Sequence, residues 1–264
     1  MVRELLDHGY EVTNVDRVAP PERLCPLLQA DLTQYGEVVE VLEGAWGVVH
    51  LGAIPANNLF APERTFRENT ASTFNVFQAA MLRKLSRVVW ASSETTLGLP
   101  FDRVVPAVVP VDETHYPYPE STYSLSKVVG EAIAAQFARW SGIPFVGLRF
   151  SNVMEPHDYV QRFPTWQHDP TIRRWNLWGY IDARDAEQSC RLGLEVPLAG
   201  SENFIIAAAD TCMLMPNAEL LAAVFPQAKL AGGTGPHETL LSIAKARGML
   251  GFAPAYSWRD AARM

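Results

Sequence analysis

The sequence predicts an α/β fold in which a doubly wound parallel sheet is covered by helices. Short runs of β-branched and aromatic residues alternate with amphipathic helical stretches from the start of the chain to about residue 195. The 264 residues, of which 48% are hydrophobic, are enough to bury a core. This length suits one domain, or one domain with a small appendage.

The predicted elements follow from the spacing of apolar residues along the chain. Val2, Leu5 and Leu6, followed by Gly9, indicate a first helix and its C-terminal glycine. The runs predicted as strands are 11–16, 47–51, 87–92 and 144–149. The runs with helical spacing are 34–43, 63–83, 121–141 and 183–195. After residue 150 the pattern loosens, and the elements predicted there are a strand at 203–207 and helices near 217–224 and 239–247.

Composition and charge narrow the partners that this chain can have. The formal net charge is −7, and the sequence has no run rich in Lys and Arg. Nucleic acid and anionic membranes are therefore poor candidates, and a small molecule is the expected partner. Apolar stretches such as 88–91 and 204–209 are far shorter than the roughly 20 residues of a membrane helix. The first residues include acidic side chains and lack the apolar core of a signal peptide, so we expect a cytoplasmic location.

Cysteine and histidine give no sign of a metal or redox site. Cys25, Cys190 and Cys212 are odd in number and far apart in the sequence, which favours a packing role. The six histidines lack the paired spacing of metal ligands, and His50, within a predicted strand, is expected to be buried. We therefore predict no metal.

Tyr123 and Lys127 are the first candidates for chemistry. They open a predicted helix and are one turn apart on one face of it. A tyrosine hydroxyl is a poor base at neutral pH, but a nearby ammonium favours the phenolate and makes proton exchange with a carbinol or carbonyl feasible. Two ordinary helix-surface residues would give the same pattern. The hydroxyls of Ser92 and Ser93 follow a strand one strand-helix unit earlier, at an edge where ligands bind in such sheets, which favours the functional interpretation.

The chain resembles the extended short-chain dehydrogenase/reductases, which include NAD-dependent nucleotide-sugar epimerases, dehydratases and uronate dehydrogenases. The matching segments occur in the same order along nearly the whole chain. They are 14–17, 30–32, 50–53, Asn69 with 74–76, 92–93 with Gly98, 123–127, 148–153, 246–247 and 250–252. The resemblance implies a Rossmann-type dinucleotide-binding region at 1–152. It also implies a mixed region at 153–264 that contains a substrate-covering subdomain and the remaining sheet elements.

The resemblance implies four catalytic residues. Ser93 would hydrogen-bond the substrate oxygen, Tyr123 would be the acid/base, and Lys127 would hold the nicotinamide ribose while tuning Tyr123. Asn69 would be a fourth member, although capping or bridging within its helix is an equal alternative. The implied reaction is hydride transfer between NAD and a sugar, a sugar acid or a nucleotide sugar. Dehydrogenase, epimerase and dehydratase share this machinery, and the short C-terminal region favours a small substrate such as a free sugar acid.

The resemblance also implies the cofactor contacts. Asp16 would accept both adenosine ribose hydroxyls and so favour NAD over NADP, a choice that Arg17 beside it weakens. Asp31 and Leu32 would flank the adenine. The backbone would approach the cofactor closely at Leu51, Gly52 and Ala53.

The expected substrate contacts are Ser93, Asn152, Arg173 and Arg174. The two arginines suit a phosphate or carboxylate, although they could equally be surface charges. For the aromatic residues in this region, core packing is favoured over stacking on a sugar. They are Trp166, Trp175, Trp178 and Tyr180.

The resemblance further implies a homodimer. In relatives, the helices that match 63–83 and 121–141 pair across a two-fold axis. Here these helices carry apolar residues on more than one face, at Phe74, Phe77, Val128 and Ile133.

The chain departs from the family pattern at its start. The first strand and the Gly-x-x-Gly-x-x-Gly turn that cradles the cofactor pyrophosphate are missing. Two explanations are open: a truncated form of a complete enzyme, which we favour, or a degenerate member that binds a ligand or partner without turnover. We expect weak or no NAD binding by the chain in this form.

Overall fold

The computed structural model describes residues 1–261. Its helices are α1 (Val2–Asp7), α2 (Tyr35–Val41), α3 (Pro62–Arg83), α4 (Thr122–Ser141), α5 (Pro156–Gln161), α6 (Ala183–Glu195), α7 (Asn217–Val224), α8 (Ala244–Leu250) and α9 (Trp258–Ala261). Its strands are β1 (Asn14–Asp16), β2 (Leu27–Gln29), β3 (Gly47–His50), β4 (Arg87–Ala91), β5 (Val108–Val109), β6 (Phe145–Phe150), β7 (Val153–Met154), β8 (Ile181–Asp182), β9 (Ser201–Ile206) and β10 (Lys229–Leu230).

The main sheet has four strands in the order β3-β4-β6-β9. Strands β3 and β4 pair in parallel, with His50 opposite Trp90, and β4 and β6 also pair in parallel. A second parallel pair joins β1 to β2, with Asp16 opposite Gln29. The predicted α/β class with a parallel sheet is confirmed. Strand β2 was not predicted, because its three residues follow a proline and contain no β-branched side chain.

The chain divides into two compact units that are discontinuous in sequence. Unit 1 contains 1–92, 121–148 and 190–203, and unit 2 contains 93–120, 149–189 and 204–261. Neither unit is one continuous span, and the functional division at residue 152 stays a prediction.

The core of unit 1 lies where α3 and α4 cover one face of the sheet. Phe77 of α3 is fully buried, with its ring centroid 4.8 Å from that of Phe145 and 5.6 Å from that of Trp90. Aliphatic residues of α2, α3 and α4 complete this cluster. Successive strand residues point to opposite faces, so Val89 lies on the other side, where it faces Gly193 of α6. Helices thus pack on both faces of the sheet in this unit.

Unit 2 has an aromatic core. The rings of Phe163 and Tyr180 are fully buried, 5.2 Å apart and nearly perpendicular. Trp178 is also fully buried, so core packing is confirmed for Trp178 and Tyr180. Asp182, with no exposed surface, accepts hydrogen bonds from the Tyr159 hydroxyl at 2.5 Å and from the Arg184 guanidinium.

The state of the cysteines and the character of the helices can be compared with the sequence-based expectations. Cys190 and Cys212 are buried and Cys25 is partly buried, and all three thiols are free. Within residues 1–261, no helix has both the length and the apolar character that crossing a membrane requires.

Candidate active site

Helix α4 carries Tyr123 and Lys127 on one face, and the lysine is buried. The Ser121 side chain caps the helix by accepting a hydrogen bond from the Ser124 amide at 3.1 Å. Lys127 is 5% exposed, and its Nζ donates to the Ala91 carbonyl at 2.8 Å, at the end of β4. The same Nζ lies 5.7 Å from the centre of the Tyr123 ring. The interpretation of Lys127 as an ordinary surface residue is therefore wrong.

The buried Lys127 ammonium has an altered acidity. Burial lowers the pKa of Lys127 from 10.5 to about 8, so the side chain is still mainly protonated at pH 7. His50, at the end of β3, is buried as expected, and burial together with the Lys127 charge lowers its pKa to about 3. Its imidazole is therefore neutral and leaves Lys127 as the cation of this pair.

Glu131 is a buried side chain on α4 that the sequence analysis missed. Its Oε1 accepts a hydrogen bond of 2.6 Å from the hydroxyl of Ser92, and both residues are buried. The signal available in the sequence was its spacing, because Tyr123, Lys127 and Glu131 recur every four residues along one helix face.

Asn69, the suggested fourth catalytic residue, bridges backbone segments. It lies within α3 and is buried. Its Oδ1 accepts from the Ile54 amide at 2.7 Å, and its Nδ2 donates to the Ile54 carbonyl and to Ser126 Oγ. These contacts fix the loop after β3 against α4, so Asn69 bridges separate segments and not positions within its own helix, and its catalytic role stays a prediction.

The residues expected to contact the adenosine lie at the ends of β1 and β2. Asp16 ends β1 and is exposed, and its Oδ1 accepts from the Val18 amide at 3.1 Å. Asp31 follows β2 and accepts from the Thr33 amide and hydroxyl, which lower the pKa of its carboxyl. The Nη1 atom of Arg17 lies 4.0 Å from Oδ2 of Asp31. This ion pair offsets part of the positive charge of Arg17.

The loop after β3 approaches the segment after β2. Leu51 and Gly52 are exposed, and Ala53 is partly buried. A Cβ on Gly52 would lie only 2.6 Å from a methyl group of Leu32, so this position requires a residue without a side chain unless Leu32 moves. Leu32 is in turn held by a hydrogen bond from Asn75 Nδ2 to its carbonyl. Unit 1 therefore brings Leu32 and Gly52 together.

Ser93 belongs to unit 2, where it caps a short 3-10 helix at Glu94–Leu97. Its Oγ accepts from the Thr95 amide at 3.2 Å and from the Thr95 hydroxyl at 3.0 Å. These bonds use the oxygen as an acceptor, and the hydroxyl proton can still be donated.

Glu94 is a second buried carboxyl that the analysis did not assign. It is 3% exposed, and Asn176 Nδ2 donates to its Oε1 at 3.2 Å. Burial raises its pKa to about 7, although hydrogen bonds from Ser151, Asn176 and the Asn152 amide and the charge of Arg173 oppose that shift.

Arg173, expected to contact the substrate, is buried in unit 2. Its guanidinium lies between the rings of Trp166 and Trp175, 4.6 and 4.7 Å from their centres. It donates to Asn152 Oδ1 at 2.8 Å and to the Gly179 carbonyl at 3.0 Å. The surface-charge alternative is therefore wrong for Arg173. Arg174 is half-exposed and pairs with Asp102 at 2.8 Å.

Comparisons with known proteins give a family and several relatives. The family model for the NAD dependent epimerase/dehydratase family matches residues 1–177. Uronate dehydrogenase of Pseudomonas putida is 26% identical over 171 residues, which cover 63% of this chain and 61% of that enzyme. The chain thus matches about three fifths of the length of that relative.

Two solved structures have the same fold. The UDP-glucose 4-epimerase of Thermotoga maritima superposes with a TM-score of 0.72 at 18% identity, covering 97% of this chain and 89% of that one. A short-chain dehydrogenase/reductase superfamily protein from Agrobacterium tumefaciens with bound NAD has a TM-score of 0.72 at 20% identity, covering 98% and 89%. At these identities the likeness shows the fold alone.

Proposed function

We propose that this chain, which belongs to the NAD dependent epimerase/dehydratase family, transfers a hydride between NAD and a hydroxyl or carbonyl of a sugar-like substrate. The observation that carries the proposal is the buried Lys127 ammonium, which is fixed to the end of β4 and lies beside the Tyr123 ring on α4. A buried ammonium in this position favours a phenolate at Tyr123. Members of this enzyme family are named for NAD-dependent chemistry, so NAD is the expected cofactor.

In this mechanism Tyr123 moves the proton. Its phenolate oxygen takes the proton of the substrate hydroxyl when the sugar is oxidised and returns it to the carbonyl oxygen when the sugar is reduced. Lys127 remains protonated and stabilises the phenolate. Ser93 donates its hydroxyl proton to the same substrate oxygen, and the hydrogen bonds from Thr95 orient that hydroxyl. NAD supplies the hydride acceptor when it is bound.

The residues present fit part of the cofactor. The exposed Asp16 carboxylate suits the adenosine ribose hydroxyls, and Lys127 suits the nicotinamide ribose. Gly52 has no side chain, and the nearby Leu32 would exclude one. The backbone that is expected to face the cofactor is therefore uncovered at Gly52. The Gly-x-x-Gly-x-x-Gly segment that would cradle the pyrophosphate does not occur in residues 1–264.

The substrate class proposed is a sugar or sugar acid. Uronate dehydrogenase among the relatives supports a sugar acid, and UDP-glucose 4-epimerase of Lacticaseibacillus casei, 27% identical over 161 residues, supports a nucleotide sugar. Arg173 is buried and engaged by Asn152 and Gly179, whereas Arg174 is half-exposed and pairs with the exposed Asp102. Arg174 is therefore the more accessible candidate for a carboxylate or phosphate.

A substrate panel tests the proposal. The protein, extended at its start by the strand and the Gly-x-x-Gly-x-x-Gly turn of the family pattern, is incubated with NAD and with aldonates, uronates and free sugars while NADH is followed, and nucleotide sugars are assayed for epimerisation in parallel. All kinetic comparisons below use this extended form. We expect turnover with at least one member of the panel. Absence of both NAD reduction and epimerisation, in a protein that is folded by circular dichroism, would refute the proposal.

A further inference from the structure

We propose that Glu131 is a positioning residue, which holds the end of β4 where its backbone receives the Lys127 ammonium. The inference rests on the proposed function, because it assigns a role within the same site. Glu131 is not expected to touch the substrate or the cofactor. It acts through Ser92 and the peptide group that joins Ala91 to Ser92.

Two side chains of α4, one turn apart, hold two successive residues at the end of β4. Lys127 Nζ donates to the Ala91 carbonyl at 2.8 Å, and the Ser92 hydroxyl donates to Glu131 Oε1 at 2.6 Å. The second bond is short because its acceptor is a carboxylate, and such bonds are roughly twice as strong as neutral ones. Ser92 is 3% exposed and Glu131 is 8% exposed, so little water competes for this contact.

The peptide plane connects the two contacts. The Ala91 carbonyl and the Ser92 amide belong to one rigid group, so a change at Ser92 rotates the oxygen that accepts from Lys127. A well-aligned acceptor stabilises the ammonium, and a misaligned one does not. Glu131 therefore controls, through Ser92, how well Lys127 is held next to Tyr123.

The other groups around Lys127 do not supply this control. His50 at the end of β3 is neutral, because burial and the Lys127 charge lower its pKa to about 3. Tyr123 on α4 is the group to be tuned. A buried carboxylate is costly to desolvate, and packing alone would be served as well by an apolar side chain. The free-energy cost of burying Glu131 is offset by its hydrogen bond with Ser92, which fixes the end of β4.

The acidity of Lys127 is the direct test, and it requires no turnover. The sequence has four lysines, Lys84, Lys127, Lys229 and Lys245, so a protein labelled with ¹³C-lysine gives few signals in a titration followed by NMR. Lys127→Arg assigns the Lys127 signal. We expect Glu131→Gln and Ser92→Ala each to raise the acid dissociation constant of Lys127 about tenfold, the equivalent of one lost hydrogen bond.

The variants separate positioning from charge and from simple destabilisation. Ser92→Ala keeps the Glu131 charge, whereas Glu131→Gln removes it. An effect in Glu131→Gln alone would show that only charge matters and would overturn the proposal. Ser92→Thr keeps a hydroxyl and should retain the acidity of the unchanged protein. The matched control is Tyr159→Phe, which removes a buried hydroxyl-carboxylate bond of unit 2 and should leave Lys127 unchanged despite lower stability.

Kinetics on the substrate found by the panel give the second readout. We expect Glu131→Gln to lower kcat about tenfold or more with KM little changed, and to have no further effect in a Lys127→Met background. Equal losses with and without Lys127 would overturn the proposal. If the unchanged protein turns over no substrate, the proposed function fails, whereas the Lys127 titration still decides whether Glu131 positions it.

Discussion

Glu94 and Lys127 are both buried ionisable side chains, and burial moves their pKa values toward neutrality from opposite directions. For Lys127 the pKa falls to about 8, and for Glu94 it rises to about 7. The cause is the same, since a low-dielectric environment disfavours whichever form is charged. The consequence for stability differs. Glu94 becomes a buried charge as the pH rises, whereas Lys127 becomes one as the pH falls.

The stability of the protein should therefore depend on Glu94 in a defined pH window. Its carboxyl titrates near 4.5 when unfolded and near 7 when folded, so the native state binds the proton more tightly and loses stability as the pH rises between these values. The full loss is about 3 kcal/mol. We expect Glu94→Gln to be stabilised relative to the unchanged protein at about pH 8, and much less so at about pH 5. Urea denaturation at both pH values measures this difference.

The same substitution at an exposed glutamate provides the control. Glu40 of α2 is exposed, and Glu40→Gln makes the same chemical change outside the core. If Glu94→Gln behaves like Glu40→Gln, the carboxyl of Glu94 is ionised in the native state without penalty and the account of its burial is wrong.

At the scale of elements, α3 and α4 were predicted to within one residue at each end. Their amphipathic spacing extends over many turns, Ser121 marks the start of α4, and a glycine follows its end. A helix was predicted at 239–247, whereas the observed helix is Ala244–Leu250. The reason is that Leu241 forms a β-bridge with Val111, a residue distant in the sequence. Such long-range pairing leaves no local periodicity. The same limit explains why the burial of Arg173 between two tryptophans was not foreseen, whereas the proximity of Tyr123 and Lys127 was.

The packing of α4 on β4 depends on Gly130. A Cβ at this position would lie 3.0 and 3.1 Å from two ring atoms of Trp90, which is 1% exposed and has no room to move. We expect Gly130→Val to lower the free energy of unfolding by about 2 kcal/mol through overpacking. Gly248→Ala in α8, where a Cβ meets nothing within 4 Å, should instead raise it by about 1 kcal/mol. Thermal denaturation of both variants checks the pair, and equal effects would contradict the close approach of α4 to Trp90.

At the scale of the whole molecule, we propose that two copies associate through α3 and α4. Phe77 is buried in the core and Val128 and Ile133 are partly buried, so of the four apolar residues proposed for this role only Phe74 is clearly exposed. Phe74 is 43% exposed, and Leu125 and Trp140 of α4 are exposed as well. These apolar surfaces are what a homodimer would cover.

Light scattering tests the dimer. We expect a dimer mass at micromolar concentration, and a shift toward the monomer in Phe74→Glu. Val18→Glu introduces the same charge at a valine that is 72% exposed and lies outside both helices, and it should leave the mass unchanged. A monomer mass for the unchanged protein would contradict the proposal.

In the proposed reaction, Tyr123 exchanges the proton while NAD and a sugar-like substrate exchange a hydride. The most direct measurement compares the rate of Tyr123→Phe with that of the unchanged protein on the substrate identified by the panel, with Tyr116→Phe, a tyrosine that is 70% exposed, as the control. We predict that Tyr123→Phe lowers kcat about 10²-fold or more while the variant stays folded, because the proton-transfer group is lost. Tyr116→Phe should retain the full rate. A near-normal rate in Tyr123→Phe at neutral pH would contradict the claim.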